Sequence, residues 1–352
     1  MTAESQPLPD ARAFNAGDRR SYLEQRLFAY SPLNVWATAA TIYAGLIGAY
    51  ALAAALDGAP WLRVVGGRYA LDERARVALI LALVACVALA MQRYVRLREQ
   101  AEAMSNRISR AMGDSYLTFH PAGLKLATAL GALGGLLLIL LFRAPGFGVH
   151  DVAIGSARFV WFVAATLLLG VLFARGVDLT RIGAQVTRRA IDEELVVDLL
   201  HIERLYGWGR AASRNSLTWF AVSASFCLLF VSQVSSLASA ALLAACALMG
   251  LSTFVSTTHQ VHRRIRAAKS DELDAVRTEI AALRARPGAE PATSVKLHSL
   301  LAYEARIAAV REWPFDQTIL MRVAGSTLIL TLPWFGQAVA GVLVEHFGQL
   351  IR

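Results

Sequence analysis

The sequence predicts an all-α polytopic membrane protein with seven transmembrane helices, a cytoplasmic N-terminus, an external C-terminus and helical extensions on the cytoplasmic side. Three observations predict it. Hydrophobic residues are 56% and charged residues 17% of the 352 positions, against about 45–50% (glycine included) and about 25% in soluble domains, and mean hydropathy is +0.47. Seven stretches reach the roughly 20 apolar residues that a helix needs to cross about 30 Å of hydrocarbon. Of the 35 Lys and Arg, 28 lie in the N-terminal tail and the even-numbered connections and 7 on the other side. That is the asymmetry expected when basic loops are held in the cytoplasm during insertion.

Residues 1–32 form a polar cytoplasmic tail without an apolar signal core, so the first span is its own insertion signal. Residues 33–258 hold six spans, at 33–56, 77–95, 122–142, 157–175, 217–235 and 238–258, with cytoplasmic helices at 96–121 and 176–216. On the external side, Pro60–Tyr69 reads as a short hairpin around Gly66-Gly67. Gly131, Gly134 and Gly135 lie inside an apolar span and mark close helix packing. Cys86, Cys227 and Cys246 all fall in apolar spans and read as small buried hydrophobes. A short join near Val234–Leu237 makes the fifth and sixth spans an antiparallel pair, whose Ser and Thr hydroxyls return their hydrogen bonds to the preceding turn.

Residues 259–316 form a cytoplasmic helical hairpin of coiled-coil character. Leu273, Val276, Ile280 and Leu283 make one narrow apolar stripe on an otherwise charged helix. Pro287, Gly288 and Pro291 turn the chain, and Leu297, Leu300, Leu301 and Ile307 recur on a second helix. Stripes this narrow need a further surface, either the helix over 177–214 or a neighbouring subunit. Trp313, Pro314, Phe315 and Asp316 then make a corner: Pro314 disfavours helix before it, the aromatics suit the membrane interface, and Asp316 caps the next helix. Coupling between the hairpin and the last span must pass through this corner. Residues 317–352 supply the seventh span, at 317–344, and a short external tail.

The stretch Arg311-Glu312-Trp313-Pro314-Phe315-Asp316, followed by a long span containing Pro333-Trp334 and ending Gly341-Val342-Leu343-Val344-Glu345, resembles the C-terminal part of uncharacterised multi-spanning bacterial membrane proteins. The resemblance covers about 35 residues, brings no function with it, and implies the bacterial inner membrane as location. In topology alone, seven spans with the N-terminus inside and a distinct last span are similar to the insect gustatory and odorant receptor channels.

Chemistry is sparse. The middle of every span lacks Asp, Glu, Lys, Arg and His, which argues against ion-coupled transport, because such carriers keep ionisable groups in the bilayer. The most polar helix face is on the last span, where Ser326, Gln337, Gly341 and Glu345 follow Arg322 at helical spacing. It reads either as the lining of a path between subunits or as a helix contact. His259 with His262, and Glu194 and Asp198 with His201, read as solvated helix faces with no metal. No phosphate-loop, nucleophile-elbow or metalloprotease motif is present, so no catalytic activity and no cofactor are expected. The net charge of +9 encodes orientation and attraction to lipid headgroups, not nucleic acid. The expected function is an oligomeric channel-like or receptor-like channel, a homo-oligomer with the seventh span lining the path. The rival expectation is a non-catalytic scaffold that recruits a cytoplasmic protein partner through 259–316.

Overall fold

The computed structural model describes residues 27–28, 30–65, 68–105, 121–143, 151–193, 195, 197–228, 237–285, 291–313, 321 and 325, and it is all-α, 86% helical. Helix α1 (Val35–Leu56) starts where the Asn34 side chain accepts from the Ala37 amide at 2.8 Å, an N-cap that satisfies one otherwise orphaned donor. It ends in a Schellman turn. Gly58 sits at φ +62°, its amide donates to Ala55 O, and the Ala59 amide donates to Ala54 O at 2.9 Å. The expected hairpin follows, with β1 (Leu62–Val65) antiparallel to β2 (Arg68–Leu71) and Val65 opposite Arg68. The connection is therefore the two residues 66–67, the loop length that a Gly-Gly pair serves best.

Asp72 starts α2 (Glu73–Ser105), accepting from the Arg74 amide on its side chain and from the Arg76 amide on its carbonyl. At 33 residues the helix is about 50 Å long, so it carries the second apolar stretch well past the end of the expected span without a break. Its apolar window is 61% buried, against 22% for α1 and 33% for the window in α4 (Ala157–Glu193). Helix α2 is therefore the hub, packing on α1, α4 and α5 (Tyr206–Cys227).

Helix α3 (Pro121–Phe142) packs chiefly on α4. A Cβ at Gly131 would lie 2.6 Å from Gly170 O, and one at Gly135 2.5 Å from Thr166 O. The two backbones touch because these positions carry no side chain. Gly134, expected to do the same, meets nothing within 4 Å and faces away. On the opposite face of α3, Leu126, Leu130, Leu133, Leu137 and Leu140 are exposed. A leucine face of this extent needs lipid or another chain over it.

Residues 176–216 are not one continuous helix. Helix α4 runs to Glu193, a 3-10 turn occupies Leu199–Leu205, and α5 begins at Tyr206. Asp198 caps the turn, accepting from the Leu200 amide at 3.0 Å. Helix α5 then runs antiparallel to the first half of α6 (Leu237–Arg284), which is unbroken for 48 residues. Helix α7 (Pro291–Ala308) folds back along the second half of α6, so the hairpin expected over 259–316 is present through Trp313.

Among the described residues three helices, Val35–Leu56, Glu73–Val95 and Ala157–Arg189, are long and apolar enough to cross a membrane, and Lys125–Leu140 is a shorter apolar helix. The N-terminal tail through 26, residues 106–120, the join at 229–236, the turn at 286–290, and the seventh span apart from Met321 and Gly325 lie outside the described residues. Cys86, Cys227 and Cys246 are buried and form no disulfide with one another, as expected for small hydrophobes.

Candidate functional site

Two places in the fold bring polar groups together. The first is where the α6–α7 hairpin meets the rest of the bundle. Ile191 at the end of α4, Leu199 and Leu205 of the 3-10 turn, Trp208 of α5, Val261 and Ile265 of α6, and Ile307 of α7 form one buried cluster. Leu273, the first residue of the narrow stripe of α6, packs at the edge of this cluster, and Val276 and Ile280 farther along are buried outside it. Polar bonds close the edges. Arg264 Nη2 donates to Asp192 O at 2.7 Å and to its carboxylate at 3.2 Å, capping α4 with a cation where the helix dipole is negative. Tyr303 donates to Glu272 at 3.0 Å, which pushes its phenol pKa up, and Arg277 reaches Glu304 at 2.7 Å.

The corner is held at this joint. Trp313 stacks on the His262 ring, centroids 4.2 Å apart and planes 11° from parallel. The His262 Nδ1–H donates to Glu312 O at 3.0 Å; the carbonyl only accepts, which fixes that tautomer. Lys269 Nζ donates to Ala308 O at 2.8 Å and Val310 O at 3.0 Å and pairs with Glu312 at 3.5 Å. Two of the ammonium donors thus go to carbonyls at and just beyond the end of α7, where the helix leaves acceptors open. Trp313, expected at a membrane interface, instead lies against α6. Pro314, Phe315 and Asp316 lie outside the described residues, as do Ser326, Gln337, Gly341 and Glu345.

The metal-like pairs have ordinary partners. His259 and His262 have ring centroids 6.3 Å apart, and His262 has its Nδ1 committed to Glu312. His201 bonds Asp198 at 2.8 Å, which holds that carboxyl below its usual range. Among the described residues no group of three or more His, Cys, Asp or Glu is placed to hold a metal.

Sequence reasoning missed the second place, a cavity of about 320 Å³ between α2, α3, α4, α5 and α6, at the lower end of the roughly 300–1,000 Å³ usual for small-molecule sites. One end is apolar, with Val84, Leu138, Leu169, Val222 and Phe226 in the wall. The end nearer the hairpin carries Gln92, Thr187, Asn215, Thr218, Thr253 and Thr257. Trp219 lies between the two ends, donating from Nε1 to the Thr180 hydroxyl at 3.2 Å and set edge-on to Phe173. None of the described residues lining the cavity is ionisable. Five helices contribute to it, so no local spacing signals it.

Comparison with protein-family models, curated proteins and solved structures finds no match to this chain.

Proposed function

We infer that this chain is a seven-span inner-membrane protein, N-terminus inside, acting as a homo-oligomeric receptor-like channel whose cytoplasmic hairpin controls the last span. The observation that carries the reading is mechanical. Helix α6 is continuous from Leu237 to Arg284, and the residues that lead into the last span are clamped to it by the His262–Trp313 stack and the three contacts of Lys269. A displacement of the hairpin therefore moves α6 and the approach to the last span together. The exposed leucine face of α3 supports contact with lipid or a second copy.

Planar-bilayer recordings of the purified full chain test this. A conductance is expected that Trp313→Ala makes independent of the hairpin and whose cation selectivity falls in Glu345→Gln. Silence across voltages and salts overturns the reading. The scaffold alternative draws on the charged outer faces of α6 and α7, and only the first residue of the apolar stripe, Leu273, packs against the cluster of Leu199, Leu205 and Trp208. It predicts a co-purifying protein that is lost when 260–312 is removed.

A further inference from the structure

We propose that the cavity between α2, α3, α4, α5 and α6 is a binding site for a neutral, single-chain amphiphile taken from the bilayer, bound with its polar end toward the cytoplasmic joint. The inference deepens the receptor-like reading and rests on its placement of these helices in a membrane. Charge, polarity, access and shape each restrict the occupant. Charge does so first: none of the described lining residues is ionisable, and a charged headgroup would lie there without a counter-ion, at high cost in a low dielectric.

Polarity sets the direction. The Gln92 and Asn215 amides and the Thr187 hydroxyl line one end and find no side-chain hydrogen-bond partner among the described residues. The Thr218 and Thr253 hydroxyls there bond back to their own helix. Gln92 and Asn215 are partly buried, and a hydroxyl or amide head offers them the hydrogen bonds that a hydrocarbon chain cannot. Thr187 is itself 8% exposed, so what it meets is the cavity and not open solvent. At the far end Val84, Leu138, Leu169 and Phe226 accept only hydrocarbon.

Access is lateral. Helix α3 packs chiefly on α4, and two of its residues in the cavity wall, Leu130 and Gly134, are also exposed on the outer surface. The mouth therefore opens between α3 and the rest of the bundle, at the level of the leucine face, where a molecule dissolved in the bilayer arrives. The volume admits one chain and excludes a two-chain phospholipid.

The test is photolabelling of the full chain in nanodiscs with a diazirine-bearing long-chain fatty alcohol, mapped by peptide mass spectrometry. The expected result is labelling concentrated on α2, α4 and α5 peptides that line the cavity, competed by dodecanol and weaker for the matching fatty acid at alkaline pH. Gly134→Leu puts a side chain at the mouth, where a Cβ meets nothing within 4 Å, and should abolish the competed fraction without disturbing the fold. Asn215→Leu, which keeps the volume, should weaken dodecanol competition about fivefold, the value of one ordinary hydrogen bond. Labelling spread evenly over the lipid-facing residues of α1 and α3, or cavity labelling that dodecanol does not displace, overturns the proposal, including the case in which water or the last span fills the space. Carbonate extraction separates the failures: a chain washed off the membrane sinks the membrane placement, whereas a retained chain with uncompeted labelling sinks the ligand site alone.

Discussion

Single residues decide how closely these helices approach. Gly131, Gly135 and Gly170 put two backbones in contact, because a Cβ at any of them would strike main-chain atoms that have no rotamer to escape into. Gly134, one residue from Gly135 and equally conspicuous in the sequence, has open space around it. Gly135→Ala should therefore lower thermal stability in detergent by about 1–3 kcal/mol, as overpacked cores do. Gly134→Ala should hold or gain up to about 1 kcal/mol of helix propensity; equal effects would mean that α3 and α4 do not meet through this face. At the other end of α4, Asp57 accepts from the amides of Ala157 and Arg158 and pairs with the Arg158 guanidinium at 2.9 Å, both side chains 13% exposed. Those bonds, the Arg158 side chain first, hold the Asp57 carboxyl below its usual range. A lowered folded-state pKa stabilises fully above the unfolded value and is lost as pH falls through the folded one. The thermal midpoint should be level above about pH 5 and decline below about pH 4, and Asp57→Asn should lower the plateau and flatten the decline. An unchanged acid limb in that variant would assign it to other carboxylates. Not every residue was legible. Arg93 reads in the sequence as a charge that marks the cytoplasmic side, yet it is 1% exposed, buried by helices that no local pattern brings near it.

At the scale of elements, the boundaries that could be read are those set by local chemistry. Gly66-Gly67 between β-prone residues announces a two-residue hairpin, and β1 and β2 pair in the register that requires it. The break after Glu193 could not be read so, because Leu195, Val197 and Ile202 continue an apolar pattern that suits a helix and they turn out to line the joint instead. Tertiary burial overrides periodicity there. The same joint anchors the hairpin at one end, where Val261, Ile265 and Ile307 are buried with the 3-10 turn and Leu273 of the stripe packs beside them. Two variants separate its parts. Ile307 is fully buried, and Ile307→Ala should cost about 2–5 kcal/mol, loosening α7 along its length. Trp313→Ala removes the ring stack on His262 and leaves Ile307 in place, so hydrogen exchange should rise at 308–313 and stay unchanged in α2. Uniform protection in both variants would show that the hairpin is held by its ion pairs alone.

For the whole molecule, the 28-to-7 sorting of Lys and Arg predicts which side each connection takes. The fold has two distinct ends: the β-hairpin and the Asp57–Arg158 pair lie at one, the 3-10 joint and the α6–α7 hairpin at the other. Neither the count of spans nor the cavity follows from such sorting, because both depend on which helices assemble, and assembly in lipid is driven by packing and not by apolarity. Orientation can be tested directly, since the protein supplies a quiet background: Cys86, Cys227 and Cys246 are all buried and should react slowly with a membrane-impermeant maleimide. Single cysteines at Tyr69 and Ser270, both exposed, then report the two ends. Seven spans with the N-terminus inside require Tyr69→Cys to label from outside intact spheroplasts and Ser270→Cys to label only after lysis. The reverse pattern would invert the orientation while leaving every helix contact in place. Labelling of both from one side would put the two ends in the same compartment, which no helix long enough to cross the bilayer between them allows.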